Sequence, residues 1–331
     1  MDLSFIDAVP TKPKSRKQIR ALLAKTFQRT ITRTPGDRII SYSQLSNYQK
    51  CPRAWELKSY RKLSTDEPSI HLVFGTALHN TIQEWIQLCY SESIQAASKI
   101  NWDTKFFNYL KADYEDRVVK YGEHFVDKDE MIEFFLDGKK ILEYLFKHRT
   151  DLFSTKHYEL VACELPLYIP PVPGRPKIKL MSYLDIVFCD IRDMSYLIVD
   201  LKTSTRGWKD YDKKDKIKTG QLVLYKKYFS QQYNIPEDKV DIEFIILKRK
   251  LYEDSLFAQK RIQKFKPPAG PRITKQVVNA LEDFVQRAFN EDGSHIDKTH
   301  PSVGGPAFSN CKFCEFKERY DLCPKETRIT V

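Results

Sequence analysis

Two carboxylates and a lysine stand where a folded chain can least tolerate idle charge. Asp200-Leu-Lys202 follows directly on the apolar run Tyr196-Leu-Ile-Val199, which predicts a buried strand. A carboxylate and an ammonium are costly to bury unless each is paired or bound. Side chains two apart on a strand share a face, so Asp200 and Lys202 address one point. Asp185 lies inside a second apolar run, residues 180–189, and the turn-like segment 190–195 between the runs predicts a hairpin that brings the three together. The tripeptide alone means nothing. Asp103-Thr-Lys105, Asp137-Gly-Lys139 and Asp212-Lys-Lys214 repeat it in polar segments that read as solvated charge. Two readings fit the hairpin set. One is a buried ion pair without chemistry. The other is a pair of carboxylates holding Mg²⁺ or Mn²⁺, which polarises a phosphate and activates water, with a lysine to stabilise developing charge or position the nucleophile. That set suits phosphodiester hydrolysis.

A second group is made of sulfur. Cys311-Lys-Phe-Cys314 and Cys323-Pro324 crowd three of the seven cysteines into one short segment. Three thiolates want a fourth partner, and four suit either a [4Fe–4S] cluster or tetrahedral zinc. Spacing does not choose between them. A zinc arrangement of His295, His300, Cys311 and Cys314 also has acceptable ligand order. The odd cysteine count, and a start (residues 1–10) that is not a signal peptide, speak against a secreted disulfide framework.

The elements that position these groups follow from periodicity. Residues 1–40 carry nine Lys or Arg against three Asp and read as a basic arm or a loosely packed helix. Residues 41–52 read as a helix capped by Ser41 or Ser43 that bends or ends at Cys51-Pro52. Residues 72–90 place Leu78, Ile82, Trp85, Ile86 and Cys89 on one helical face, with His79 at its border, and residues 102–150 continue as amphipathic helices. The texture then changes. Residues 158–169 are β-like, the 180–203 hairpin follows, 221–232 is a helix, 241–248 a strand and 273–290 a helix. Glu164, in the strand Val161-Ala-Cys-Glu-Leu165, is a possible extra carboxylate.

With these parts in order, the chain resembles the PD-(D/E)XK nucleases, in the branch of RecB and AddB nuclease domains and the CRISPR-adaptation iron–sulfur nucleases. Asp185 and Asp200-x-Lys202 match the core motif; Gly75-Thr-Ala-Leu-His79 resembles the G-x-x-x-H segment, and Gln221-Leu-Val-Leu-Tyr225 the Q-x-x-x-Y helix. Cys51, also followed by proline, resembles the distant first ligand of the branch's four-cysteine cluster, with Cys311, Cys314 and Cys323 as the rest. The resemblance spans residues 41–324. It implies an α/β fold, a restriction-endonuclease-like mixed sheet flanked by helices, with a helical lobe and an iron–sulfur staple. It implies metal ligation by His79, Asp185, Asp200 and the carbonyl of Leu201, assistance to water by Lys202, and a substrate-side role for Gln221 and Tyr225. Two departures are visible: Leu184 stands where the family has a nominal proline, and eight residues separate Cys314 from Cys323. Unaided by the resemblance, His79 reads more readily as a satisfied helix histidine, and Gln221 with Tyr225 as an ordinary helix surface on which Tyr225 is partly buried.

The remainder concerns partners. A net charge of +11 favours a polyanion, though a basic surface alone would give the same number. Residues 206–218 hold six basic and three acidic residues, with Trp208 and Tyr211; residues 248–266 hold seven basic and two acidic, with Tyr252, Phe257 and Phe265. Such interleaving suits a single-strand channel, phosphates on charge and bases on rings; Arg206, Trp208, Lys209, Lys213, Lys214, Lys216 and Lys218 are the candidate DNA contacts. The bland alternative is a pair of solvated loops. The expected activity is a metal-dependent deoxyribonuclease, a single-strand exonuclease of repair, recombination or replication. The rivals are a non-catalytic DNA-binding scaffold and an RNA nuclease. No Gly-x-x-x-x-Gly-Lys-Ser/Thr loop is present, so unwinding would fall to a helicase or recombination partner. No apolar run is long enough to span a bilayer, which points to an intracellular, cytoplasmic or nucleoid-associated protein. The acid-free stretch 11–36 keeps a mitochondrial reading open. The expected partition is 1–40 arm, 41–157 helical region, 158–290 nuclease core and 291–331 cysteine segment.

Overall fold

The computed structural model describes residues 15–27, 29–64, 67–253 and 255–330. The first 14 residues of the basic arm lie outside that set. The amino-terminal half contributes α1 (Arg16–Thr26), β1 (Arg38–Ile40), α2 (Tyr42–Lys50), the short α3 (Pro52–Trp55), α4 (Ile70–Ser91), the short α5 (Ile94–Ser98), α6 (Trp102–Tyr121), α7 (Lys128–Lys147) and the short α8 (Arg149–Leu152). Then follow β2 (Tyr158–Ile169), β3 (Ile178–Asp190), β4 (Ser195–Ser204), the short α9 (Asp210–Lys214), α10 (Lys216–Tyr233), β5 (Val240–Lys248), β6 (Ile262–Phe265) and α11 (Pro271–Ala288). A two-stranded parallel pair, β7 (Ser302–Val303) with β8 (Arg328–Ile329), closes the chain.

The first six strands form one mixed sheet. β3 and β4 are the expected antiparallel hairpin, β2 pairs antiparallel with β3, β5 runs parallel to β4, β1 runs parallel to β3, and β6 lies antiparallel on β5. Helices cover both faces, as buried parallel strands require. On one face α1, α2, α10 and α11 bury residues such as Leu45, Phe229 and Phe284 over Ile198 and Phe244. On the other, α4, α6 and α7 bury Phe74, Phe106 and Phe134 over Val199, Leu201 and Ile245. The alternation along β4 is therefore complete: even residues face the first core and odd residues the second.

Three features differ from expectation. α1 is docked, with a capping box between Ser15 and Gln18 and Ile19 and Leu23 buried. β1 and β6 were not anticipated: β1 is three residues long, and β6 lies within the stretch read as a basic channel. α10 begins five residues earlier than its periodicity suggested, because the Asp215 carboxylate accepts from the amides of Ile217 and Lys218 and so caps the helix there.

Candidate active site

Asp185 interrupts the hairpin it belongs to. The β3–β4 ladder runs from Asp190–Ser195 to Ile186–Val199 and stops; at the next position the Asp185 carboxylate itself accepts the amide of Leu201 at 2.7 Å. The side-chain alternation of β3 reverses at the same point. Leu180 and Leu184 lie in the first core, while Ile186 and Phe188 lie in the second. β2 reverses alongside it: Glu164, opposite Asp185 in the β2–β3 register, has φ 51°, a left-handed conformation that costs a non-glycine residue about 1 kcal/mol or more. The β3–β4 pairing thus gives way to a gap beyond Ile186–Val199, which the Asp185 carboxylate enters to meet Leu201.

Asp200 reaches the gap from β4. It is 1% exposed, its Oδ1 has no hydrogen-bond partner, and the Lys202 ammonium lies 2.7 Å from Oδ2. Burial holds the Asp200 carboxyl above its ordinary range, although Lys202 pulls the other way. Asp185 is held well above the usual value, first by burial and then by the charge of Asp200. Burial pulls Lys202 down, but the two aspartates more than offset it, so the amine stays cationic. Two acids biased toward keeping their protons therefore face a lysine biased toward keeping its own.

α4 brings the third component. At Gly75 the helix passes β4; a Cβ there would sit in ordinary contact, 3.4 Å from Thr203 Oγ1. One turn on, His79 Nδ1 lies 3.7 Å from Asp185 Oδ2. Burial, then the charge of Lys202, push this imidazole down to about 4, so it is neutral at physiological pH. One further turn along, Gln83 donates to Glu164 Oε1 at 2.5 Å and to the backbone carbonyl of Asp185 at 3.1 Å. The sequence reading missed Gln83. The only signal was its position four residues after His79, which puts both on one helical face. From the opposite core Tyr225, 5% exposed, accepts from Gln221 at 2.8 Å. Burial and then the nearby Asp200 raise its phenol, so it stays protonated. The gap thus joins His79, Glu164, Asp185, Asp200, Lys202 and Tyr225 from both sides of the sheet.

A profile of the PD-(D/E)XK nuclease superfamily matches residues 39–323, most of the chain. The chain belongs to the PD-(D/E)XK nuclease superfamily. No curated protein matches it. Among solved structures, the crystal structure of SSO0001 is similar at 14% identity, covering 91% of this chain and 94% of that one, with a TM-score of 0.35; a likeness that distant carries no argument.

The expectation of bound metal is corrected. Among the described residues, no group of three or more His, Cys, Asp or Glu side chains is placed to hold a metal ion. In the gap Asp200 Oδ2 pairs with Lys202, Asp185 accepts the Leu201 amide, Glu164 accepts from Gln83 and the Leu201 carbonyl accepts from His79, while Asp200 Oδ1 is left without a partner. The Mg²⁺ or Mn²⁺ site read from the sequence does not fit this arrangement.

The iron–sulfur staple is corrected on the same finding. Cys51, Cys311, Cys314 and Cys323 do border one small apolar cavity, but as free thiols. Burial raises the Cys311 and Cys314 thiols above their ordinary value. Cys51 Sγ accepts the Val303 amide and Cys323 Sγ contacts Ser302 Oγ. The zinc alternative fails too: His295 stacks on Tyr60 with ring centroids 4.2 Å apart, and His300 packs edge-on against Trp55 and Tyr48. What joins the chain ends is hydrogen bonding. Arg53 donates from two nitrogens to the Leu322 carbonyl, Asn310 donates to the Lys50 carbonyl, and buried Glu56 accepts from Arg53, Arg61 and the His300 amide.

The candidate DNA contacts divide. Trp208 packs on Phe244 and Phe265 and is fixed by Gln263, so its ring belongs to the fold. Lys213 pairs with Asp210 and Lys218 with Asp212, while Lys216 bonds Gln276. Lys209, Lys214 and Arg206 are exposed, and Arg206 lies 5.0 Å over the Tyr252 ring.

Proposed function

We propose that this chain hydrolyses phosphodiester bonds of DNA, acting on single strands from a free end. The observation that carries the reading is the convergence of Asp185, Asp200 and Lys202 in a gap of the sheet, in a chain of a nuclease superfamily. Lys202 supplies fixed positive charge where the phosphorane-like transition state accumulates negative charge, an interaction that strengthens as charge develops. Water attacks phosphorus as the ester P–O bond breaks. A carboxylate of the gap takes the proton that the water loses, and the leaving alkoxide is protonated in turn. A carboxyl held above its ordinary range is better matched to that exchange than an exposed aspartate. The order His79, Asp185, Asp200-x-Lys202, Gln221 and Tyr225 supports placement near the RecB and AddB domains. Arg206, Lys209 and Lys214, with the Tyr252 ring beside them, support a strand entering past the start of α10.

The test is cleavage of end-labelled oligonucleotides, single- and double-stranded, linear and circular, DNA and RNA, with and without added divalent cation. The expected result is stepwise shortening of linear single-stranded DNA that is lost in Asp200→Asn and Lys202→Met. Binding without cleavage under every condition would leave a DNA-binding scaffold, and preference for RNA would leave an RNA nuclease.

A further inference from the structure

Two pockets that share Arg20 and Tyr90 form a groove between α4 and the amino-terminal helix α1. Its near part is bordered by Gln87, Cys163, Arg29 and Arg20, its far part by Arg16, Arg149 and Trp85; Arg20 and Tyr90 border both. The near end adjoins the gap through the chain itself. Cys163 precedes Glu164, and its thiol donates to the Gln83 carbonyl at 3.8 Å. His79, Gln83, Gln87 and Tyr90 are spaced four, four and three residues apart, hence on one face of α4. From His79 to Tyr90 the helix rises roughly 16 Å, room for a few nucleotides.

The chemistry of the walls selects an occupant. Four guanidinium groups face two carboxylates, Glu159 and Glu92, and Glu159 is shared by Arg16 and Arg20. The groove is thus a net cation. Tyr90 is 6% exposed, yet its hydroxyl has no hydrogen-bond partner, nor has the buried Nε of Arg149. Unsatisfied buried donors are rare and call for an acceptor. The indoles of Trp85 and Trp102 are 5% and 6% exposed, so the walls offer charge and donors rather than stacking faces. Such a surface reads a backbone and not bases.

We propose that this groove is a second nucleic-acid track, which holds the phosphates of single-stranded DNA leading away from the reaction gap, with Tyr90 and Arg149 donating to phosphate oxygens. The proposal rests on the nuclease reading only for its direction; binding is measured without cleavage. The probe is fluorescent oligo-dT of increasing length, titrated by anisotropy against full-length Asp200→Asn protein at several salt concentrations. Tyr90→Phe and Arg149→Gln, each added to that background, are expected to weaken binding of long oligonucleotides several-fold and to leave the shortest unaffected. Arg149→Gln should also reduce the salt slope by about one. Tyr90→Phe keeps the ring, so it separates loss of the donor from loss of the fold, and thermal melting checks both variants. Unchanged affinity and salt slope in a folded Tyr90→Phe and Arg149→Gln pair would overturn the track. So would dependence on these residues with oligo-rU but not oligo-dT, which would make the occupant RNA. If Asp200→Asn and its parent are equally inactive while the groove variants lose binding, the nuclease reading fails and the track stands.

Discussion

Asp185 carries a cost that function explains. Its folded carboxyl binds a proton more tightly than the unfolded one does, because burial and Asp200 disfavour its charge. Stability therefore falls as pH rises from the ordinary carboxylate value toward the raised folded one, and the cost vanishes as pH falls below the ordinary value. Asp185→Asn keeps an oxygen to accept the Leu201 amide and removes the charge. It should melt no lower than the parent at neutral pH, gain on it as pH rises, and lose cleavage. A clear drop in melting temperature would mean that the carboxylate stabilises the gap. Lys202→Met should lower turnover roughly 100-fold or more. His79 is neutral at physiological pH, so activity should not change through the ordinary histidine range near pH 6.5 on its account; a pH–rate step there that disappears in His79→Gln would contradict the assignment. Much of this was legible. An aspartate inside an apolar run announces itself, and the hairpin period placed its partners. Gln83 was not legible, since nothing in the residue type marks it, and the left-handed turn at Glu164 has no glycine to betray it.

Elements were legible in proportion to their length. α4, α6, α7 and the β3–β4 hairpin follow from sustained periodicity, whereas β1 and β6, at three and four residues, offer too few alternations. Trp208 looked like a stacking ring because it stands among lysines; β5 and β6 beneath it supply Phe244 and Phe265 instead. The cysteine spacing was real, but spacing fixes proximity and not the protonation or aim of sulfur. The ends are joined by the Arg53–Glu56–Arg61 cluster, whose partners at Leu322 and His300 lie 269 and 244 residues away, beyond any local pattern. Arg53→Ala leaves a buried carboxylate with fewer donors and should cost about 3 kcal/mol. Burial raises Glu56, but the His300 amide and both arginines outweigh it, and its pKa is lowered. Its contribution is therefore present at neutral pH and is lost as pH falls below the ordinary value of 4.5. The melting difference between the parent and Glu56→Gln should shrink through that acid range; a constant difference would assign the effect to packing.

For the whole molecule, the arrangement is a sheet between two helical cores whose β3–β4 pairing stops at one point, where two aspartates and a lysine meet. Exposed Lys17 and Arg20 on α1 and Arg206, Lys209 and Lys214 before α10 offer positive charge that can draw a polyanion to the chain. Binding should fall steeply with salt as counterion release is suppressed, and a salt-insensitive affinity would remove the electrostatic account. The measurement that bears most directly on the assignment is single-turnover cleavage of 5′- and 3′-labelled linear single-stranded DNA by the full chain and by Asp200→Asn, with binding measured on the same preparations. The account predicts progressive shortening by the parent, none by the variant, and equal binding by both. Equal cleavage by the two proteins, or none by either with DNA bound, would contradict it.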